Sequence, residues 1–253
     1  MSGPTPAARE ATAQAVEIER ILALLAHGEM ELHGLLSGSN YTFLVTVRDA
    51  ELQGLAVYKP QRGERPLWDF PPGSLCLREY AAYLVSTALG WGFVPPTVLR
   101  EGPHGVGVVQ LYVDVDPQAN YFTLRQQYSH DFQRLAAFDA LINNTDRKAG
   151  HCLLGSDGRI WSIDHGVTFH VRPKLRTVIW DFRGQPIPAD ILGDLRAFQQ
   201  RLAQHKDPLV VVLGRLLSAQ EMRALRNRLK TLLAKGTFPQ PPDDWPSVPW
   251  PPV

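Results

Sequence analysis

Residues Phe138 to His170, FDALINNTDRKAGHCLLGSDGRIWSIDHGVTFH, constrain this chain more than any other stretch. A segment with helical apolar spacing ends at Ile142, a polar loop carries Asp146, Arg147, Lys148 and His151, and a short apolar run, Ile160 to Ile163, delivers Asp164-His165-Gly166. Charged side chains on short connections between apolar segments do not enter a core unpaired, so the fold has to bring them to a polar surface. Two aspartates, a lysine and a histidine gathered in this way suit a phosphate site.

The charge balance makes that site a local one. Twenty-six Lys and Arg stand against 25 Asp and Glu, a formal net charge of +1, so no global field draws nucleic acid or an anionic membrane to the protein. Two cysteines, Cys76 and Cys152, are too few for a disulfide framework and belong to no CxxC pair, and they read as buried, reduced thiols. The first residues, MSGPTPAAREATAQ, lack the apolar core of a signal peptide, and no window reaches the ~18 to 20 apolar residues of a membrane span. The expectation is a cytoplasmic protein with no nucleic-acid partner and no stable membrane insertion.

Read in order, the chain changes period twice. Ile18, Ile21, Leu22 and Leu25 mark one face of a helix ending at His27, with Gly28 as its stop. Alternation then takes over: Met30 to His33 and Tyr41 to Val47 read as a hairpin with the small, polar tip Ser37-Gly38-Ser39-Asn40, and Leu52 to Lys59 as a third strand closed by Pro60. After a proline-rich loop, Ser74 is placed to cap a helix from Leu75 to Leu89, whose stripe of Leu77, Ala81, Leu84 and Ala88 leaves Glu79 off centre. Val94 to Arg100 and Gly105 to Val113 read as two more strands, and no period is visible from Asp114 to His130. Helical spacing returns at Phe132 to Ile142, opened by Asp131, then at Ala189 to Gln204, at Pro208 to Leu217, and from Ser218, which forms a capping box with Glu221, to Gly236. The tail FPQPPDDWPSVPWPPV can only be extended or irregular, with Trp245 and Trp250 expected to anchor it.

Phosphoryl transfer from ATP needs a cation near the α and β phosphates, metal ions bridging phosphate oxygens, and a carboxylate that orients the nucleophile. Lys59 closes the strand Ala56-Val57-Tyr58-Lys59, which is similar to the V-A-I-K strand of kinases, and Glu79 on the next helix is placed to pair with it. Asp146 precedes His151 at the spacing of a kinase base and its metal-binding Asn, and Asp164-His165-Gly166 has the D-x-G form of the metal-binding segment. Taken singly, Lys59 and Glu79 read as solvated surface charges, and Asp146 and Asp164 as turn formers. Their order along one chain is what favours the chemical reading.

The segments YKPQRGERP, REYAAYL, NNTDRKAGH and IDHG resemble the phosphatidylinositol 3- and 4-kinase catalytic domain, with type II phosphatidylinositol 4-kinases and HipA-like kinases as the nearest groups. The resemblance spans Gly34 to His170. It implies an α+β, bilobal protein-kinase-like fold: an antiparallel β-sheet N-lobe with one main helix, a mostly helical C-lobe, and ATP in the cleft. The expected division is a disordered N-terminus 1–8, an N-lobe 9–113, a C-lobe 114–237 and a Pro/Trp-rich tail 238–253.

Residue by residue, the resemblance implies Lys59 on the phosphates, Glu79 as its partner, Asp146 as catalytic carboxylate and Asp164 as principal ligand of Mg²⁺ or Mn²⁺. Lys148 would neutralise the transferred group. Gln110, Leu111, Tyr112 and Val113 would form the adenine-binding hinge. Ser37 to Asn40, with Ser39 over the phosphates, would replace a glycine-rich loop. His151 departs from the Asn usual at the second metal position, and hard Mg²⁺ prefers oxygen there. The basic run His170 to Arg176 lies where lipid kinases place an activation segment, so it reads either as a receiver of an anionic substrate or as a solvated face. The implied activity is metal-dependent transfer of the γ-phosphate of ATP to a hydroxyl of a lipid, protein or small molecule. The alternatives are a pseudokinase that binds nucleotide or a partner, and a nucleotidyl transferase on the same fold.

Overall fold

The change from helical to alternating spacing near Gly28 is realised as a helix leading into an antiparallel sheet. The structure, a computed structural model, describes residues 6–36, 40–242 and 246–253, with the backbone alone over 6–16. The chain forms two compact units: Met1–Arg65 with Pro96–Tyr112, and Pro66–Pro95 with Val113–Val253.

The first unit contains helix α1 (Pro6–His27) and strands β1 (Glu29–Leu35), β2 (Phe43–Arg48), β3 (Gln53–Pro60), β4 (Thr97–Gly102) and β5 (Gly105–Leu111). The strands form one antiparallel sheet in the order β1-β2-β3-β5-β4. Leu24 and Leu25 of α1 pack on Val45, Val47, Ala56, Tyr58, Val98 and Val109, the inward positions of alternating strands. Between β2 and β3 the Asp49 carboxylate accepts the amides of Glu51 and Leu52, both at 2.8 Å, closing an Asx turn. Gly107 stands opposite Pro60, where a Cβ would lie 2.5 Å from the Lys59 carbonyl, so the close approach of β5 to β3 needs glycine. β3 ends at Pro60 as expected. A register shift interrupts β1 between Leu32 and Gly34.

The second unit is mostly helical: α2 (Leu75–Ala88), α3 (Tyr121–Leu124), α4 (Ser129–Ile142), α5 (Ala189–Leu202), α6 (Pro208–Leu216) and α7 (Ala219–Lys235), with one hairpin of β6 (Cys152–Leu154) and β7 (Ile160–Ser162). Ser218 and Glu221 form the expected capping box at α7. Ser74 holds the N-cap position of α2 without capping it, because its hydroxyl donates to Pro71 O and accepts from Arg78 Nε. Helix α2, read from sequence as part of the N-lobe, has its buried Arg78 paired with Glu221 and Thr168 O, and so groups with the helical unit. α3 lies in the stretch without a visible period, since four residues capped by Asn120 are too few to show one.

Residues 1–5 of the expected disordered N-terminus lie outside the described residues, whereas Pro6 to Ala8 belong to α1. Trp245 also lies outside them, and Trp250 is 86% exposed and is no anchor. Both cysteines are buried and unbridged, and burial pushes the Cys152 thiol up to about 12. Among the described residues no helix is long and apolar enough to cross a membrane.

Candidate active site

Helix α4 ends on Asn143, whose left-handed backbone (φ 56°) turns the chain into the polar loop. The side chain of Asn143 donates to the carbonyls of His170 and Arg172, at 2.9 and 2.7 Å, and accepts from Lys174 N at 2.8 Å. Asn144 donates to Asp139 at 2.9 Å and accepts the amide of Asp146 at 3.0 Å. The two asparagines therefore shape the loop, each using both ends of its amide.

At the centre lies Arg147, fully buried. Its guanidinium is bidentate to Asp139 of α4, with Nε to Oδ2 at 2.9 Å and Nη2 to Oδ1 at 3.0 Å. It also reaches the carbonyl of Ile163 at 3.0 Å and Nε2 of His165 at 2.8 Å. A planar fork of five donors suits this buried junction as lysine could not. Burial alone would lower the Arg147 pKa, but the Asp139 carboxylate outweighs it and the net shift is upward. Because Arg147 donates to Nε2, His165 is a neutral acceptor there with its proton on Nδ1, which lies 4.0 Å from Glu79. Glu79 is buried and accepts the His165 amide at 2.9 Å, so α2 also grips the segment that carries Asp164.

This frame presents two carboxylates. Burial raises the Asp146 pKa, and the charge of Asp164 raises it further, while Lys148 and Arg176 work against that shift. Lys148 Nζ is 3.9 Å from Asp146 Oδ2. Asp164 has φ 59°, a conformation that Asp tolerates better than most residues but still at a cost. Its Oδ2 lies 3.4 Å from His151 Nε2. The amide of Lys148 points at His151 Nδ1 over 3.4 Å, so in the neutral ring the proton sits on Nε2 and faces Asp164. A cation at Nε2 requires the other tautomer. Among the described residues no group of three or more His, Cys, Asp or Glu is placed to hold a metal ion.

The other sequence-derived candidates divide between the units. Lys59 closes β3, and Gln110 lies in β5 with its side chain donating to Thr97 Oγ1 at 2.9 Å. The amides of Leu111 and Tyr112 bond Pro96 O and Leu55 O within the sheet unit. Ser39 lies outside the described residues. In the basic run, Lys174 is buried and paired with Asp69 at 2.5 Å, so it is not part of an open anion receiver, whereas Arg172 is exposed.

Asp139, Arg147 as a clamp, and His165 were not singled out in the sequence. The signal was present: Asp139 sits four residues after Leu135, on the buried stripe of α4, and a carboxylate at such a position calls for a buried cation. Arg228 of α7 was also missed, and it donates to Leu141 O at 2.7 Å and to His170 O at 3.1 Å, bracing both sides of the loop.

No family model matches the sequence. The chain is 40% identical over 265 residues to protein Rv2133c of Mycobacterium tuberculosis, covering 90% of this chain and 94% of that protein. It is 29% identical over 184 residues to phosphatidylinositol 4-kinase gamma 4 of Oryza sativa subsp. japonica, covering 64% of this chain but only 32% of that longer protein. Among solved structures, hydra Fam20 with sugar superposes with a TM-score of 0.55 at 14% identity, over 87% of this chain and 88% of that one. The Golgi casein kinase with Mn/ADP bound gives 0.51 at 18% identity, over 87% and 75%. At these identities the structural likeness is one of fold, and the fold is protein-kinase-like: an antiparallel sheet unit and a mostly helical unit.

Proposed function

This chain belongs to the family of the Mycobacterium tuberculosis protein Rv2133c, and we propose that it transfers the γ-phosphate of ATP to a hydroxyl. The observation that carries the reading is the buried guanidinium of Arg147. It ties the loop bearing Asp146 to Asp139 on one side and to Ile163 and His165, which flank Asp164, on the other. Two carboxylates held by one rigid junction suit a reaction in which positioning and electrostatics supply most of the rate.

In this reading Asp146 accepts the hydrogen bond of the acceptor hydroxyl and takes its proton as the oxygen bonds to the γ-phosphorus and ADP leaves. Lys148 balances the charge of the transferred group. Lys59 and Glu79 keep the nucleotide and helix roles that the resemblance implies, and Gln110 to Val113 line the adenine. Asp164 would hold a Mg²⁺ or Mn²⁺ ion, with His151 orienting its outer oxygen or, in the other tautomer, joining it as a ligand. When bound, the ion neutralises phosphate oxygens. The Mn/ADP carried by the Golgi casein kinase supports this nucleotide and metal. The names of the relatives support an alcohol acceptor on a lipid or a protein.

The test is incubation of the chain with ATP, Mn²⁺ or Mg²⁺ and a lysate, followed by identification of any covalently attached phosphate or AMP. Phosphate attachment upholds the proposal, AMP attachment replaces it with nucleotidyl transfer, and nucleotide binding without modification or hydrolysis replaces it with a pseudokinase. Asp146→Asn is expected to keep nucleotide binding and lower turnover by about 10²- to 10⁴-fold. Asp164→Asn, which preserves a residue at ease with positive φ, is expected to lose metal-dependent binding instead. Equal loss of binding in the two variants would remove the division of roles.

A further inference from the structure

The last residues of the chain reach the candidate site through their main chain. Ala149, between Lys148 and His151, donates its amide to Pro252 O at 2.8 Å. Thr177 donates to Ser247 O at 2.9 Å, and the same oxygen accepts the indole N–H of Trp180 at 3.0 Å. Ala149 and Thr177 are both buried, so these amides depend on the tail for their acceptors.

Along its other side the segment Arg176–Val178 is bonded to the catalytic loop. Arg176 N donates to Asn144 O at 2.9 Å, Arg147 N to Arg176 O at 3.0 Å, and Val178 N to Arg147 O at 3.1 Å. In extended chain successive amides point to opposite sides, which turns Thr177 N–H away from Arg147 and toward the tail. The tail thus forms a third ribbon, fastened at Ser247 to this segment and at Pro252 to the loop beyond Asp146. It does not cover the carboxylates, since the Asp146 and Asp164 side chains remain 37% and 48% exposed.

We propose that residues 247–252 are a positioning strap, whose carbonyls hold Ala149 and Thr177 and thereby fix Asp146 and Lys148 for transfer, a role that rests on the phosphotransfer reading. The tail's composition suits this use. Pro249, Pro251 and Pro252 have no amide hydrogen to satisfy and a fixed φ, so the carbonyls are presented with little loss of chain entropy. Trp250 stays exposed because the strap works through its backbone.

The experiment compares the full chain with a chain ending at Val248, which lacks Pro252 and keeps Ser247, and one ending at Trp245, which lacks both. Amide exchange is followed at Ala149 and Thr177, and turnover is read as ADP formed from ATP with Mn²⁺, water serving as acceptor. Ending at Val248 is expected to raise exchange at Ala149 but not at Thr177, and to lower kcat by about 10- to 100-fold at unchanged KM for ATP. Ending at Trp245 is expected to add exchange at Thr177 and a further fall in kcat. Pro252→Ala in the full chain, which keeps the carbonyl, should leave exchange at Ala149 far closer to wild type than ending the chain at Val248 does. Unchanged exchange at Ala149 overturns the strap, as does raised exchange with unchanged or increased kcat. A full chain that neither hydrolyses ATP nor labels a lysate acceptor defeats the phosphotransfer reading instead, and the hold of the tail on the loop then stands or falls on Ala149 exchange.

Discussion

Among the described residues of the sheet unit the buried polar ones, tyrosine aside, are Thr46, Thr97 and Gln110, all neutral. In the helical unit they include Arg78, Glu79, Asp139, Arg147, His165, Lys174 and Glu221. The first unit satisfies its buried main chain by strand ladders and fills its core with valine, leucine and alanine. The second desolvates charge after charge and repays each with a partner in a defined geometry. A ladder tolerates side-chain change wherever the alternation survives, whereas a charge network fails when one member goes, because the remaining charges are left buried and unpaired. Stability and chemistry are therefore coupled in the helical unit and largely separable in the sheet unit.

The largest test of that contrast is Arg147→Met, which leaves Asp139 buried without its cation and is expected to cost about 3–5 kcal/mol in denaturant unfolding. Its counterpart in the sheet unit is Tyr58→Phe, which removes a part-buried hydroxyl donating to Gly105 O at 2.5 Å. That change should cost only about 0.5–1.5 kcal/mol and leave the turnover of the folded molecules intact. Equal penalties would dissolve the distinction.

The smallest effect is one of pH. Burial first, and then Asp164, hold the Asp146 carboxyl above the ordinary aspartate range. A folded pKa above the unfolded one means that the folded chain binds the proton more tightly, so this residue favours folding below its unfolded pKa and loses that contribution as pH rises through its folded pKa. In the proposed transfer, activity has the opposite sign, since the Asp146 carboxylate would have to be ionised to accept a proton. The acid limb of the turnover profile is expected above the range of an ordinary aspartate, and Asp146→Asn should unfold at slightly higher denaturant than wild type at neutral pH. An acid limb at ordinary aspartate values would contradict the burial argument.

Much of the architecture was legible because it rests on periodicity. The strands, the long helices and the capping box of Ser218 all follow from local spacing and end chemistry. The polar loop and the Asp164 segment were legible because many charges crowd short connections. What escaped was nonlocal. Asp139 looks like any helix charge until Arg147 is known to fold back on it, and Glu79 looks like a surface residue until its acceptor role toward the His165 amide is seen. The role of the tail could not be read either, because it lies in carbonyl groups that every residue possesses, whereas the tryptophans drew attention through side chains.

Strand β1 lies at the edge of the sheet and carries Glu29, Glu31 and His33, with a register shift between Leu32 and Gly34. An unpaired strand edge is a template for another chain, and charges and a bulge are what blunt it. Changes to these residues would then register as aggregation during synthesis or storage, with the chemistry of each folded molecule unaltered. A screen that scores soluble yield would find this strand, and one that scores turnover per molecule would pass over it.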